Sequence, residues 1–186
     1  IWMKPTEDGK YYEYIAVYVD DLAIIMVNPA GFIETLKTKY NLKIKGDGPL
    51  DYHLGCTYKR DPDGTLVADP RRYISKILEQ YEQTFGEKPK KARPPLEAGD
   101  HPELDTSEFC DMTEIKQFQT LIGQLQWLIS LMRLDIAVHT MSLSKFRAQP
   151  RKGHLKRAKR IFGYLSHLQD GAIRFRTGEP DYSDIK

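Results

Sequence analysis

Two adjacent carboxylates, Asp20 and Asp21, are the side chains of this sequence best placed to do chemistry. They stand between two apolar, β-branched and aromatic runs, residues 14–19 and 22–27. Burying two acids inside strands would be costly, so the pair is expected at the tip of a tight hairpin. Neighbouring like charges repel, and a bound cation is the usual remedy. Hard divalent ions such as Mg²⁺ take carboxylate oxygens together with substrate phosphates. Successive strand side chains point to opposite faces, so at most one of the two can aim squarely at a site on one face. On spacing alone a solvated Asp-Asp turn, which is common, is the favoured reading. No other metal-ligand pattern is visible, since His53, His101, His139 and His167 lack the spacing for one and Cys56 and Cys110 stand far apart.

The second chemical signal is charge. The chain has 186 residues and a formal net charge of only +2, but the charges are segregated. Between residues 97 and 114 there are seven acids and no Lys or Arg, whereas residues 145–176 hold ten bases against the single acid Asp170. Such a local basic field fits a polyanion surface, with a merely solvated helix as the bland alternative.

The elements that must position these groups read as α+β. After the first hairpin, residues 31–40 have helical spacing. Asp61-Pro62-Asp63-Gly64 is a turn signal between residues 54–58 and 65–68, predicting a second hairpin. Tyr73, Ile74, Ile77, Leu78, Tyr81 and Phe85 share one helical face. Residues 88–113 lack periodicity and carry Pro94-Pro95, which predicts a linker. Beyond it come a long helix through residues 115–132, a second from about 134 to 146, a third from 153 to 168, and a short strand at 172–176. The expected organisation is a sheet-and-helix part over 1–87, a linker over 88–113 and a helical subdomain over 114–186. No apolar run reaches membrane-spanning length and no signal peptide is present, so no membrane partner is expected and a reducing intracellular setting is the default. The first residue is Ile rather than Met, as expected of a processed or excised piece.

The context of the acid pair resembles a known family. Tyr18-Val19-Asp20-Asp21, with its apolar flanks, resembles the catalytic hairpin of reverse transcriptases. Later segments resemble those of copia-type long-terminal-repeat retrotransposons, in order: Lys45-Gly46-Asp47-Gly48-Pro49-Leu50 with Tyr52-His53-Leu54-Gly55, then Arg72-Tyr73-Ile74, then Pro94-Pro95-Leu96. Leu121-Ile122-Gly123-Gln124-Leu125, Arg133-Leu134-Asp135-Ile136 and Pro150 with His154 before Arg160-Ile161-Phe162-Gly163-Tyr164-Leu165 complete the series. Leu134 replaces the usual Pro and Gln124 the usual Ser.

The resemblance implies the C-terminal part of a palm, with its antiparallel sheet of hairpins and covering helices, then a thumb- and connection-like subdomain leading towards an RNase H domain. It implies two-metal nucleotidyl transfer with Mg²⁺ or Mn²⁺, on an RNA template and DNA primer or RNA–DNA hybrid with dNTP as substrate. Asp20 becomes the principal metal ligand and Asp21 the weaker one. Tyr18 and Val19 lie near the primer end, Leu54 and Gly55 form a primer grip, and Lys45 is either a nucleotide contact or an exposed lysine. His154, Lys156, Arg157, Lys159 and Arg160 present cations to the nucleic-acid backbone. The competing reading pairs these cations with the acidic run. Cytoplasmic virus-like particles and the nucleus are the implied compartments. The family's third carboxylate lies on a strand upstream of the hairpin, outside this sequence. The 186-residue chain alone is therefore expected not to polymerise, and a degenerate, non-catalytic remnant that binds nucleic acid or a partner is the alternative.

Overall fold

A computed structural model describes residues 1–176 and 178; the end of the expected 114–186 subdomain lies outside the described residues. The architecture is α+β, with antiparallel sheets and five α-helices among the described residues. Compactness divides the chain after His53, into residues 1–53 and the residues from Leu54 onward.

The first unit holds a three-stranded antiparallel sheet of β1 (Trp2–Pro5), β2 (Tyr12–Tyr18) and β3 (Asp21–Ile25), in that order. The strand β1 lacked a sequence signal, because its Lys4 and Pro5 break any strand pattern. The helix α1 (Pro29–Thr38) starts where expected: the Asn28 side chain accepts from the Gly31 N–H, and Pro29 occupies the first turn. None of residues 1–53 is buried.

After the two-residue strand β4 (Tyr52–His53), the second unit opens with β5 (Cys56–Arg60) and β6 (Leu66–Asp69), paired antiparallel around the predicted Asp61–Gly64 turn. The Gly64 N–H donates to the Asp61 carbonyl at 2.9 Å and closes it. The strand β7 (Ile173–Phe175) adds to β6. The helices are α2 (Arg71–Phe85), α3 (Met112–Ser130), α4 (Ala137–Ser144) and α5 (Lys152–His167). A capping box starts α3, with the Asp111 carboxylate accepting from Thr113 and Glu114 while Glu114 accepts from the Asp111 N–H.

One core unites this unit. Ile74, Ile77 and Tyr81 of α2 bury against Phe118, Leu121, Ile122 and Leu125 of α3 and Ile161, Phe162 and Leu165 of α5, with Cys56 of β5 in the same cluster. The second hairpin and α2 therefore share their interior with the helices that follow residue 113.

Residues 88–113, expected as a linker, form a strap. They contain one 3₁₀ turn, Pro102–Leu104, and run antiparallel along α5 from its C-terminal end to its start. The Ala92 N–H donates to Gly163 at 3.2 Å, Glu97 pairs with Arg160 at 2.9 Å, and Pro102 accepts from His154 at 2.8 Å. Glu108 receives the Lys152 backbone N–H at 2.9 Å. A Cβ at either Gly153 or Gly163 would run into the strap, at Asp105 and at the Lys90 carbonyl respectively, so the close approach requires both glycines.

Candidate metal-binding hairpin and basic helix

The pairing of β2 with β3 sets Tyr18 opposite Asp21, leaving Val19 and Asp20 as a two-residue turn. The expected hairpin tip is thus present: Asp20 lies at its apex and Asp21 begins the return strand, both exposed. Val19 has φ 56°, a region that a β-branched residue enters only under strain. Backbone strain beside two carboxylates is the kind of feature that marks a working site.

The carboxylates suit a hard divalent ion in kind but fall short in number. Mg²⁺ demands near-octahedral oxygen coordination, and no group of three His, Cys, Asp or Glu that could hold a metal occurs among the described residues. Asp20 and Asp21 would supply two ligands of such an ion, the rest coming from water, substrate phosphate or a carboxylate of another segment.

The other expected primer and nucleotide contacts divide between the two units. Lys45 is exposed in the first. Leu54 and Gly55, expected within a strand, are instead turn residues before β5, with φ 53° and 103°. The positive φ at Leu54 is invisible to a propensity reading, because Leu rarely adopts it. A Cβ at Gly55 would meet Leu131 at 3.0 Å, so the backbone there lies tight against the end of α3.

The basic helix departs most from expectation. His154 is 3 % exposed. Its Nδ1 accepts from the Arg151 N–H at 3.0 Å, which assigns the proton to Nε2, the donor to Pro102. Its ring stacks on Phe146. His154 is therefore a clamp for the strap, not a surface cation. Arg157 is likewise turned inward: Nε and Nη2 donate to Asp100 at 2.9 and 2.7 Å, and Nη1 donates to Asp105. Arg160 pairs with Glu97, and Lys159 lies over the Phe85 ring at 3.7 Å. Of the five residues expected to face phosphates, Lys156 alone is exposed. Glu97, Asp100, Asp105 and Glu108 of the acidic run pair with Arg160, Arg157 and Lys152 of the basic helix, so for these residues the competing reading fits.

Burial opposes the charged form of Asp105, but hydrogen bonds from Ser107 and Arg157 more than offset this and hold its carboxyl at about 2. A second network had a sequence signal without an assigned role. Arg133, 1 % exposed, forks onto Asp135 at 2.9 and 2.8 Å and donates to the Leu168 carbonyl at 3.0 Å. The Tyr164 hydroxyl donates to the same carboxylate at 2.8 Å. Arg133 thus ties the turn after α3 to the end of α5. Tyr164 packs as a core residue, as its helical position implies. Burial pushes the Cys56 thiol up to about 11, as befits an inert core residue.

A transposon Ty5-1 protein of Saccharomyces cerevisiae is 29 % identical over 180 residues, covering 96 % of this chain and 56 % of the yeast protein. A retrovirus-related Pol polyprotein from transposon RE1 of Arabidopsis thaliana is 30 % identical over 171 residues, covering 91 % of this chain and 11 % of the polyprotein. The chain is homologous to retrotransposon Pol sequence. This Pol homologue spans about half the length of its yeast relative and about a tenth of its plant one. No protein-family profile and no solved structure matches it. Among its described residues no helix is long and apolar enough to cross a membrane.

Proposed function

We propose that this Pol homologue is the C-terminal palm, thumb and connection part of an RNA-directed DNA polymerase of the copia type. The observation that carries the reading is the exposed Asp20–Asp21 pair on a strained two-residue hairpin turn, in a chain homologous to retrotransposon Pol over nearly its whole length. Asp20 and Asp21 hold Mg²⁺ or Mn²⁺, with Asp20 at the turn apex the principal ligand. Bound divalent ions would activate a primer hydroxyl and neutralise a leaving pyrophosphate. Tyr18 and Val19 set the height of the carboxylates relative to a primer end, and the tight Leu54–Gly55 backbone belongs against a primer strand. Template, primer and dNTP are the substrates on this reading, and an RNase H domain is the downstream neighbour.

The test is primer extension on an RNA template by a longer polymerase that contains this sequence. Asp20→Asn should reduce incorporation at least a hundredfold while leaving the melting temperature unchanged; retained incorporation overturns the reading. A second reading, a non-catalytic remnant, is favoured by the absence of a third metal-ligating side chain beside the pair among the described residues. It requires that Asp20→Asn change nothing in that assay.

A further inference from the structure

Four acids of the strap, Glu97, Asp100, Asp105 and Glu108, pair with Arg160, Arg157 and Lys152 of α5, whereas the side chains of its basic beginning, Lys88-Pro89-Lys90-Lys91-Ala92-Arg93, make no ion pair among the described residues. All four cations are exposed. None has a carboxylate within ion-pair distance among the described residues, whereas Arg157 and Arg160 of α5 do.

The strip is also held in place. The Ala92 N–H is bonded to the Gly163 carbonyl, and the Lys90 carbonyl occupies the space a side chain at Gly163 would take. Lys88 and Arg93 each precede a proline, which biases both to extended backbone. An extended chain rises about 3.3 Å per residue, close to the roughly 3.4 Å of helix axis per phosphate on one strand of a duplex. Lys156, exposed and unpaired, stands on α5 seven residues before Gly163, two helical turns or about 10.5 Å along the same face. With only Pro and Ala between its cations, the strip has no apolar side chain to insert into a bilayer.

We propose that residues 88–93, pinned across α5 at Gly163 and joined by Lys156, are a contact surface for the phosphate backbone of duplex nucleic acid. The choice of duplex as the polyanion rests on the polymerase reading. The surface itself rests on the four unpaired cations and their anchorage.

The test is fluorescence anisotropy of a labelled B-form DNA duplex and of an RNA–DNA hybrid against the full 186-residue chain, across a range of salt. Replacing Lys88, Lys90, Lys91 and Arg93 together by Gln should weaken binding at least tenfold at low salt. It should also flatten the slope of log K against log salt on the DNA duplex by roughly 3 to 4, at about 0.9 per lost contact. The melting temperature should not move, because no partner is lost. Gly163→Ala keeps every charge and should still weaken binding several-fold, since the strip must lift. Should that variant fail to fold, the fourfold variant decides alone. If the parent binds duplex and the fourfold variant binds with the same slope, this surface is refuted while the polymerase reading stands. If the parent binds vesicles of phosphatidylserine and phosphatidylcholine but neither duplex, the strip is a membrane contact and the proposal falls. Binding to none of these probes also overturns it, and primer extension by the longer polymerase then judges the polymerase reading separately.

Discussion

Asp105 makes the strap sensitive to acid. Its carboxyl titrates near 2 in the folded chain against an ordinary 3.8, so folding favours the ionised form. The resulting stabilisation is fully present above about pH 4 and is lost as the pH falls through the folded value. Urea unfolding followed between pH 5 and 2 should show stability dropping over that window, and Asp105→Asn should flatten the drop; an unchanged profile would remove Asp105 from the account. Val19 carries the opposite kind of information, because a non-glycine residue in the left-handed region costs about 1 kcal/mol or more. Val19→Gly should therefore not destabilise the hairpin, and Val19→Asn should stabilise it by about 1 kcal/mol, read as slower native-state hydrogen exchange of the β2 and β3 amides. The acid pair was legible in the sequence because flanking apolar runs confine charge to a turn. The left-handed backbone at Val19 and Leu54 was not, because nothing in either side chain favours it.

At the scale of elements, legibility followed periodicity. The helices α2, α3 and α5 were readable from apolar residues spaced three and four apart, and their observed ends fall within a few residues of those expected. The strap reads as a linker in sequence because its attachment is polar: carboxylates and carbonyls on guanidinium, imidazole and backbone N–H groups leave no hydrophobic rhythm. The available signal was complementarity between seven acids and a basic helix, which gave two readings and no means of choosing. Geometry chooses, and it separates residues that the sequence treated alike. Arg157→Gln leaves Asp100 and Asp105 short of a charged partner and should cost about 1–3 kcal/mol in urea unfolding. Lys156→Gln, one residue away and exposed, should change stability by no more than about 0.5 kcal/mol. Equal effects of the two substitutions would mean that the strap does not depend on Arg157.

At the scale of the whole molecule, the two units differ in what holds them together. From Leu54 onward a continuous core links β5, α2, α3, α4 and α5. In residues 1–53 nothing is buried, and Trp2, Tyr12, Tyr14, Val17, Leu22 and Ile25 stand exposed on a sheet of three short strands. Three strands with so little buried apolar area are near the limit of independent stability. The carboxylate hairpin thus sits in the less stable half, and the strap and basic strip in the more stable one. Free energies of local opening span from near zero to the global value, tracking buried contacts and protected backbone hydrogen bonds. Native-state hydrogen exchange of the full chain should therefore find the amides of β2 and β3 opening at several kcal/mol less than those of α3 and α5, with urea barely changing the first set. A divalent ion bound by Asp20 and Asp21 would stabilise only the state in which the hairpin is formed. Added Mg²⁺ should then slow exchange in β2 and β3 and leave α3 and α5 unchanged, and Asp20→Asn should abolish that selective slowing. Uniform protection across both units would show that residues 1–53 draw stability from contacts outside their own sheet, and indifference to Mg²⁺ would mean that two carboxylates alone are too few to hold the ion.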